Sequence, residues 1–165
     1  MKNINILCCD PGRHSAWIIG KYPEEKVPNL FSLYCNEKHF GATLHSFYDF
    51  ASELAVNDIH HIVYEEAYVR AVRASRMQFA MIGLLHLIGY QIGATMWSVQ
   101  PSKIKKIATG KGNATKEEVI QSAKDFITDL TFKQQVNTSH EADVYWLYKY
   151  FTQSEEFMEY LQNEK

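Results

Sequence analysis

Two short apolar runs, each ending on an acidic residue, constrain the fold of this chain more than any other feature. The first is Ile4–Asp10, closed by Pro11-Gly12, and the second covers residues 59–65 and ends on Glu65. Between them, residues 42–55 repeat apolar side chains at helical spacing. Strand, helix and strand in this order predict a parallel crossover. Asp10 and Glu65 are therefore expected at the same edge of one sheet.

The remaining elements are predicted from the same periodicities. Short loops join the first three predicted strands, which indicates an antiparallel meander. Later strands are expected to be parallel, and helices flank the sheet. The predicted strands cover residues 4–10, 15–22, 29–35, 59–65 and 95–99. Two helices are predicted over residues 42–55 and 72–92. Three more follow: a lysine-rich helix opened by Pro101, a helix capped by Thr115 with Glu118, and a last main helix capped at 138–139.

Length and composition predict one folded domain covering residues 1–165. Charged residues make up 22% and hydrophobic residues 46%, which excludes global disorder. We expect a soluble, intracellular and cytoplasmic protein, because the first strand follows Met1 almost directly and no apolar run approaches the roughly 20 residues of a membrane span. Cys8, Cys9 and Cys35 are expected to be reduced thiols in the core, since two are adjacent and a zinc site needs separated pairs.

The net charge of −2 argues against a generally basic nucleic-acid binder, but the charges are segregated. The run 103–116 contains five lysines and no acid, whereas the C-terminal region contains four glutamates. A local cationic track is compatible with a phosphate-bearing partner at one site. Arginines at helical spacing are also typical of a solvated helix face. The basic residues concerned are Arg70, Arg73, Arg76, Lys103, Lys105, Lys106, Lys111 and Lys116.

Two further segments limit the choice of function. The predicted helix 72–92 is apolar nearly all round, so it either lies sandwiched within the domain or contacts a partner subunit. The Gly-Lys-Gly sequence at 110–112 lacks the Gly-x4-Gly-Lys-Ser/Thr spacing of a P-loop, which excludes a nucleoside triphosphatase of that class.

Asp10 by itself has two interpretations. An acid before Pro-Gly often orders its own turn, and an acid at the carboxyl end of a strand stands where sheet proteins present chemistry. His140 and Asp143 favour the second, because residues three apart share a helix face and this face continues to Leu147. Clustered carboxylates repel one another without a cation. The residues therefore favour a metal-dependent phosphoryl-transfer enzyme, in which two divalent ions about 4 Å apart activate water and stabilise the leaving oxygen.

Four segments spread over nearly the whole chain carry a family resemblance. They are Asp10-Pro11-Gly12, Tyr64-Glu65-Glu66-Ala67-Tyr68, the lysine-rich run 103–116 and His140-x-x-Asp143. In order and spacing they resemble the RuvC family of Holliday-junction resolvases, the crossover junction endodeoxyribonucleases. The resemblance implies an RNase H-like α/β fold, with a five-stranded mixed sheet of three antiparallel and then parallel strands flanked by helices.

The resemblance also implies roles for matching residues. Asp10, Glu65 and Asp143 match the family's metal-binding acids, and His140 would join them in holding two Mg²⁺ ions. Lys105 and Lys116 match lysines near the scissile phosphate. Tyr68 matches an aromatic residue near the junction's crossover point, and the other basic residues would contact DNA. The family acts as a two-fold homodimer that nicks two strands symmetrically in DNA recombination and repair, which suits helix 72–92 as an interface.

One position departs from a common family pattern, because many members have Asp where this chain has His140. Imidazole binds a divalent ion or orients water only when neutral, and Mn²⁺ accepts nitrogen ligands more readily than Mg²⁺ does. We therefore expect Mn²⁺ to be at least as effective as Mg²⁺. Activity is expected to fall below roughly pH 6.5, the ordinary pKa of histidine.

Other functions stay open on these residues. An RNase H-like nuclease acting on flaps, replication forks or RNA would share the same metal chemistry. A catalytically weak branched-DNA-binding protein is disfavoured, because all three carboxylate positions are filled. A sugar-kinase-like ATPase of related sheet topology would need a second lobe that 165 residues scarcely provide.

Overall fold

The computed structural model describes residues 3–23, 27–67 and 72–163, with side chains from residue 75 onward in the last range. Its strands are β1 (Ile4–Asp10), β2 (His14–Tyr22), β3 (Asn29–Tyr34), β4 (His61–Glu65) and β5 (Thr95–Val99). They form one sheet in the order β3-β2-β1-β4-β5. The first three are antiparallel, whereas β4 is parallel to both β1 and β5. The predicted mixed sheet and its parallel crossover are therefore confirmed.

Seven helices are present in the described part of the chain: α1 (Phe40–Ala55), α2 (Val72–Ile92), α3 (Pro101–Thr109), α4 (Lys116–Phe126), α5 (Leu130–Gln135), α6 (Ser139–Gln153) and α7 (Glu155–Asn163). The two short helices α5 and α7 were not predicted. Helix α5 contains too few turns for a clear apolar period, whereas α7 is as long as the predicted α3. None of the helices in the described ranges has both the length and the apolar composition needed to cross a membrane.

Both faces of the sheet are covered, which explains the unbroken apolar run of β1. Ile6 and Cys8 pack in the core on the side of α3, α4 and α6, whereas Leu7 and Cys9 pack in the core beside α1 and α2. A strand buried on both faces needs apolar residues at consecutive positions. As predicted, Cys8, Cys9 and Cys35 are free and buried, and burial raises the pKa of each thiol.

Helix α6 is the central element on its side of the sheet. It contacts β1, β2 and β4, and it also packs against α3, α4 and α7. Its first turn is held by a capping box between Thr138 and Glu141. The capping box predicted for α4, between Thr115 and Glu118, is confirmed as well. Because α6 is anchored at its head and buried along its length, the side chains of its first turn have defined positions over the edge of the sheet.

The contact between α6 and β2 predicts a steric effect of Gly20→Ala. A Cβ atom at Gly20 would lie 2.4 Å from two ring atoms of Tyr148, a fully buried residue whose hydroxyl donates to the backbone oxygen of Lys21 at 2.9 Å. We expect the unfolding free energy to fall by about 1 to 3 kcal/mol in urea denaturation, because the ring must leave its site. Gly41→Ala, whose Cβ makes an ordinary contact, serves as the control and should leave stability nearly unchanged.

Candidate active site

Three acids from distant parts of the sequence meet at one edge of the sheet. Asp10 is the last residue of β1, and Glu65 is the last residue of β4. The parallel register pairs the residue before each of them, Cys9 with Tyr64, so the two acids lie side by side. Asp143 reaches them from the first turns of α6. One oxygen from each of the three carboxylates lies within 4.8 Å of the others, as the strand ends and helix face predicted.

Burial and mutual repulsion make this cluster unfavourable without a cation. Burial, followed by the charges of Asp10 and Asp143, raises the pKa of Glu65 to about 9. Burial and the charge of Asp10 likewise raise the pKa of Asp143 to about 6, although His140 opposes the shift. In the metal-free protein the cluster therefore retains protons that isolated carboxyl groups would lose at neutral pH.

The donor set fits a hard divalent cation. Close carboxylate oxygens are the ligands that Mg²⁺ and Mn²⁺ prefer, and the three acids belong to rigid elements that hold them together. A bound cation would also offset the repulsion that raises the pKa of Glu65 and Asp143. The geometry and the chemistry of the ligands thus agree with a metal centre at this position.

His140 lies beside the three carboxylates and contacts Asp10. Its Nδ1 is 2.5 Å from Oδ2 of Asp10, and the imidazole is 34% exposed. If Nδ1–H donates to this carboxylate, Nε2 carries the lone pair of the neutral ring. The bond to Asp10 raises the pKa of His140 above its ordinary value, although burial opposes it. As the pH falls, the His140 ring is therefore protonated at a higher pH than an ordinary histidine.

Two of the five predicted lysines interact electrostatically with the carboxylates. The charge of Lys105, on α3, acts on both Glu65 and Asp143 and lowers their pKa. The charge of Lys116, at the first position of α4, acts on Asp143 and His140. Both side chains are thus close enough to interact electrostatically with a phosphate at the carboxylates.

The other lysines of this run lie further from the carboxylates or have acidic partners. Nζ of Lys103 is 4.0 Å from Glu156, and Nζ of Lys111 is 3.5 Å from Glu118. Lys106 is exposed on the last turn of α3. Exposed ion pairs of this kind contribute only about 0 to 1 kcal/mol, so a phosphate can replace the acid at little cost.

The predicted DNA-binding residues around the start of α2 are only partly described. Arg76 is exposed on α2. Tyr68 and Arg70 lie outside the described residues, as does the side chain of Arg73. Their proposed contacts with DNA therefore stay predictions.

Glu141 is a buried residue of the site that the sequence analysis missed. Its carboxylate accepts hydrogen bonds from Ser32 on β3 at 2.9 Å and from the backbone N–H groups of residues 137 and 138, each at 2.7 Å. Burial raises the pKa of Glu141, but these bonds outweigh it and the pKa lies below its ordinary value. The residue joins the head of α6 to the sheet and so positions His140 and Asp143. The Thr-x-x-Glu pattern at 138–141 is the sequence signal that could have identified it.

The sheet order, with three antiparallel strands followed by parallel ones, is the RNase H-like fold that the resemblance implied. No family model matches the chain, and no curated protein matches it by sequence. Among solved structures, a Thermus thermophilus RuvC structure matches with a TM-score of 0.66 and 16% identity, covering 96% of this chain and 97% of that one. T. thermophilus RuvC in complex with a Holliday junction substrate matches with a TM-score of 0.65 and 15% identity, covering 87% and 90%. The chain has the RuvC fold, as the four segments predicted.

Proposed function

We propose that this protein is a structure-selective DNA endonuclease that hydrolyses phosphodiester bonds at four-way junctions in a metal-dependent reaction. The observation that carries the proposal is the convergence of Asp10, Glu65 and Asp143 within 4.8 Å, at the edge of a sheet with the RuvC fold. One structure with this fold holds a Holliday junction substrate. Cationic side chains beside the carboxylates suit a phosphate-bearing substrate.

In this proposal the three carboxylates and His140 hold two Mg²⁺ ions, with Mn²⁺ as a substitute. Divalent ions would supply a water of lowered pKa as the nucleophile and would neutralise charge on the leaving oxygen. Asp10 is the central ligand, because β1 lies in the middle of the sheet and its acid faces partners from both β4 and α6. Its contact with His140 orients the imidazole at the edge of the centre.

Two lysines act on the phosphate and the DNA backbone. Lys116 stabilises the negative charge that develops on the phosphoryl group, and Lys105 positions the DNA backbone. The more distant basic residues add phosphate contacts that make binding weaken steeply with salt. These residues are Arg70, Arg73, Arg76, Lys103, Lys106 and Lys111. Tyr68 would lie near the crossover point.

The outer face of α2 supports action as a homodimer. Met81 and Leu85 on its inner face are fully buried against the rest of the chain. On the outer face, Phe79, Leu87 and Tyr90 are 51%, 47% and 87% exposed. Large apolar side chains aligned on one exposed helix face are typical of an interface. A second copy of this chain would cover them and would present a second set of carboxylates for paired nicks.

The test is strand-resolved cleavage of a four-way junction, a flap, a fork and an RNA–DNA hybrid, with Mg²⁺, with Mn²⁺ and with EDTA. We expect symmetric paired nicks in the four-way junction, with either ion and not with EDTA, from a protein that sediments as a dimer. Preferential cutting of flaps, forks or hybrids would assign the site to another RNase H-like nuclease. Tight junction binding without cleavage in either metal would leave a branched-DNA-binding protein and would contradict the endonuclease.

A further inference from the structure

Three rings form a row that runs outward from Asp10 along the edge of the sheet. The ring of His140, which is bonded to Asp10, lies 4.7 Å from the ring of His14 at an interplanar angle of 47°. The ring of His14 in turn meets Tyr34 edge-on, with 5.7 Å between the centroids. His14 and Tyr34 are paired residues of β2 and β3. The row is therefore set by the pairing of the strands.

The outer end of this row is exposed but firmly anchored. Tyr34 is 69% exposed although its neighbour Cys35 is buried. The backbone N–H of Cys35 donates to the carbonyl of Arg13 at 2.7 Å, and the Arg13 guanidinium donates to the carbonyl of Glu37 at 2.8 Å. These bonds tie the turn before β2 to the segment after β3. Tyr34 is thus a large exposed aromatic side chain on a fixed backbone, two ring contacts away from His140.

The charges around Tyr34 suit a polyanion. The cations Arg13 and Lys38 are exposed on the two segments that flank it. Between them Glu37 accepts a hydrogen bond from Ser46 on α1 at 2.6 Å, which lowers its pKa, so this carboxylate offsets one of the two positive charges. Cationic groups that contact phosphates, next to rings that stack on bases, are the combination found in single-stranded nucleic-acid sites.

We propose that the ring of Tyr34, which His14 supports edge-on, is a stacking platform for an unpaired base of the DNA strand whose phosphate lies at the carboxylates. The inference rests on the proposed function for the identity of the substrate and adds how that substrate is held. The platform lies on the side of β2 and β3, whereas Lys105 approaches the carboxylates from the helix that follows β5. Stacking requires a base that has left its duplex, which a branched junction offers at its crossover and continuous duplex does not.

The experiment measures binding of four-way junctions that carry 2-aminopurine at one position next to the crossover at a time, with EDTA present so that no strand is cut. Tyr34→Ala should raise Kd by about 5- to 100-fold and remove the fluorescence quenching seen with wild type at the stacked position. Tyr34→Phe retains the ring and should stay within about twofold of wild type. The matched control is Phe126→Ala. This ring is 56% exposed, and it belongs to the last residue of α4, whereas Lys116 is the first.

A junction with an abasic nucleotide at the stacked position completes a double-mutant cycle. Wild type should bind this junction as weakly as Tyr34→Ala binds the intact one, and Tyr34→Ala should bind both junctions equally. Equal binding and equal quenching by wild type and Tyr34→Ala at every labelled position would overturn the platform. If wild type nevertheless cleaves the junction, the proposed endonuclease activity is supported and only the platform is rejected. Loss of quenching in Tyr34→Ala, with no cleavage by wild type, would support the platform and contradict the endonuclease.

Discussion

Asp10→Asn is expected to abolish cleavage of a four-way junction, with a loss of at least about 1000-fold in single-turnover rate, as when one member of a catalytic unit is removed. The amide keeps the size of the carboxylate but carries no charge and presents an NH₂ group that cannot bind a cation. Asp10 also faces both Glu65 and Asp143 and contacts His140, so its loss affects the whole cluster. Junction binding should stay within a few-fold of wild type, because phosphate contacts lie mainly outside the cluster.

The control for this substitution is Asp49→Asn, which neutralises an exposed acid of α1 that pairs with His45 at 2.7 Å. It should cleave at the wild-type rate. Thermal unfolding of both variants checks that the fold is retained. Turnover by Asp10→Asn at the wild-type rate in Mg²⁺ would contradict the proposed metal centre. A loss of binding as large as the loss of cleavage would assign Asp10 to substrate affinity instead.

Glu65→Gln is expected to stabilise the metal-free protein at alkaline pH. The pKa of Glu65 is raised from 4.5 to about 9 in the folded protein by burial and by its acidic neighbours. Between these values the folded state binds more protons than the unfolded state. The contribution of Glu65 to stability is therefore fully present below pH 4.5 and is lost as the pH rises towards 9. At up to about 1.4 kcal/mol for each pH unit, ionisation of this group should cost wild type up to about 4 kcal/mol between pH 5 and pH 8.

The neutral amide removes this dependence on proton binding. Glu65→Gln should therefore show a much flatter profile and exceed wild type by about 2 to 3 kcal/mol at pH 8. Asp143 contributes a slope of the same sign up to its pKa of about 6. Saturating Mg²⁺ or Mn²⁺ should restore the stability of wild type at pH 8, because the ion binds the deprotonated cluster of the folded state.

Urea denaturation in EDTA from pH 5 to pH 9 measures this difference. Glu53→Gln, which neutralises an exposed acid on α1, should keep the wild-type slope and serves as the control. Parallel stability curves for wild type and Glu65→Gln would mean that the carboxyl group is ionised in the folded protein without a cation. That result would remove the electrostatic reason for a metal at this position.

Much of this site could be predicted because local signals mark its components. Residues 6–9 before Asp10 and residues 62–64 before Glu65 are apolar since their strands are covered on both faces, and an acid cannot continue such a run. Helical periodicity placed His140 and Asp143 on one face. These signals are contained within a few residues, so they can be recognised without knowledge of the fold.

Other features depend on contacts that no local pattern records. The composition of the run 103–116 does not distinguish its five lysines, and only the family resemblance singled out Lys105 and Lys116. These two interact with the carboxylates, whereas Lys103 and Lys111 pair with Glu156 and Glu118. The choice depends on how α3 and α4 dock. The short helix α5 has only the capping residue Asp129 as a local signal. Isolated helices of this length are marginal and form mainly through tertiary packing.

The sequence by itself determined the chemistry available to this protein: three acids and a histidine at the ends of apolar elements, with lysines between them. Tertiary structure alone decided the contacts that surround this predicted cluster. His140 contacts Asp10 across 130 positions of the chain, and it reaches His14 because strand pairing and the docking of α6 bring them together. The same packing raises the pKa of Glu65, since burial and close like charges exist only in the folded state.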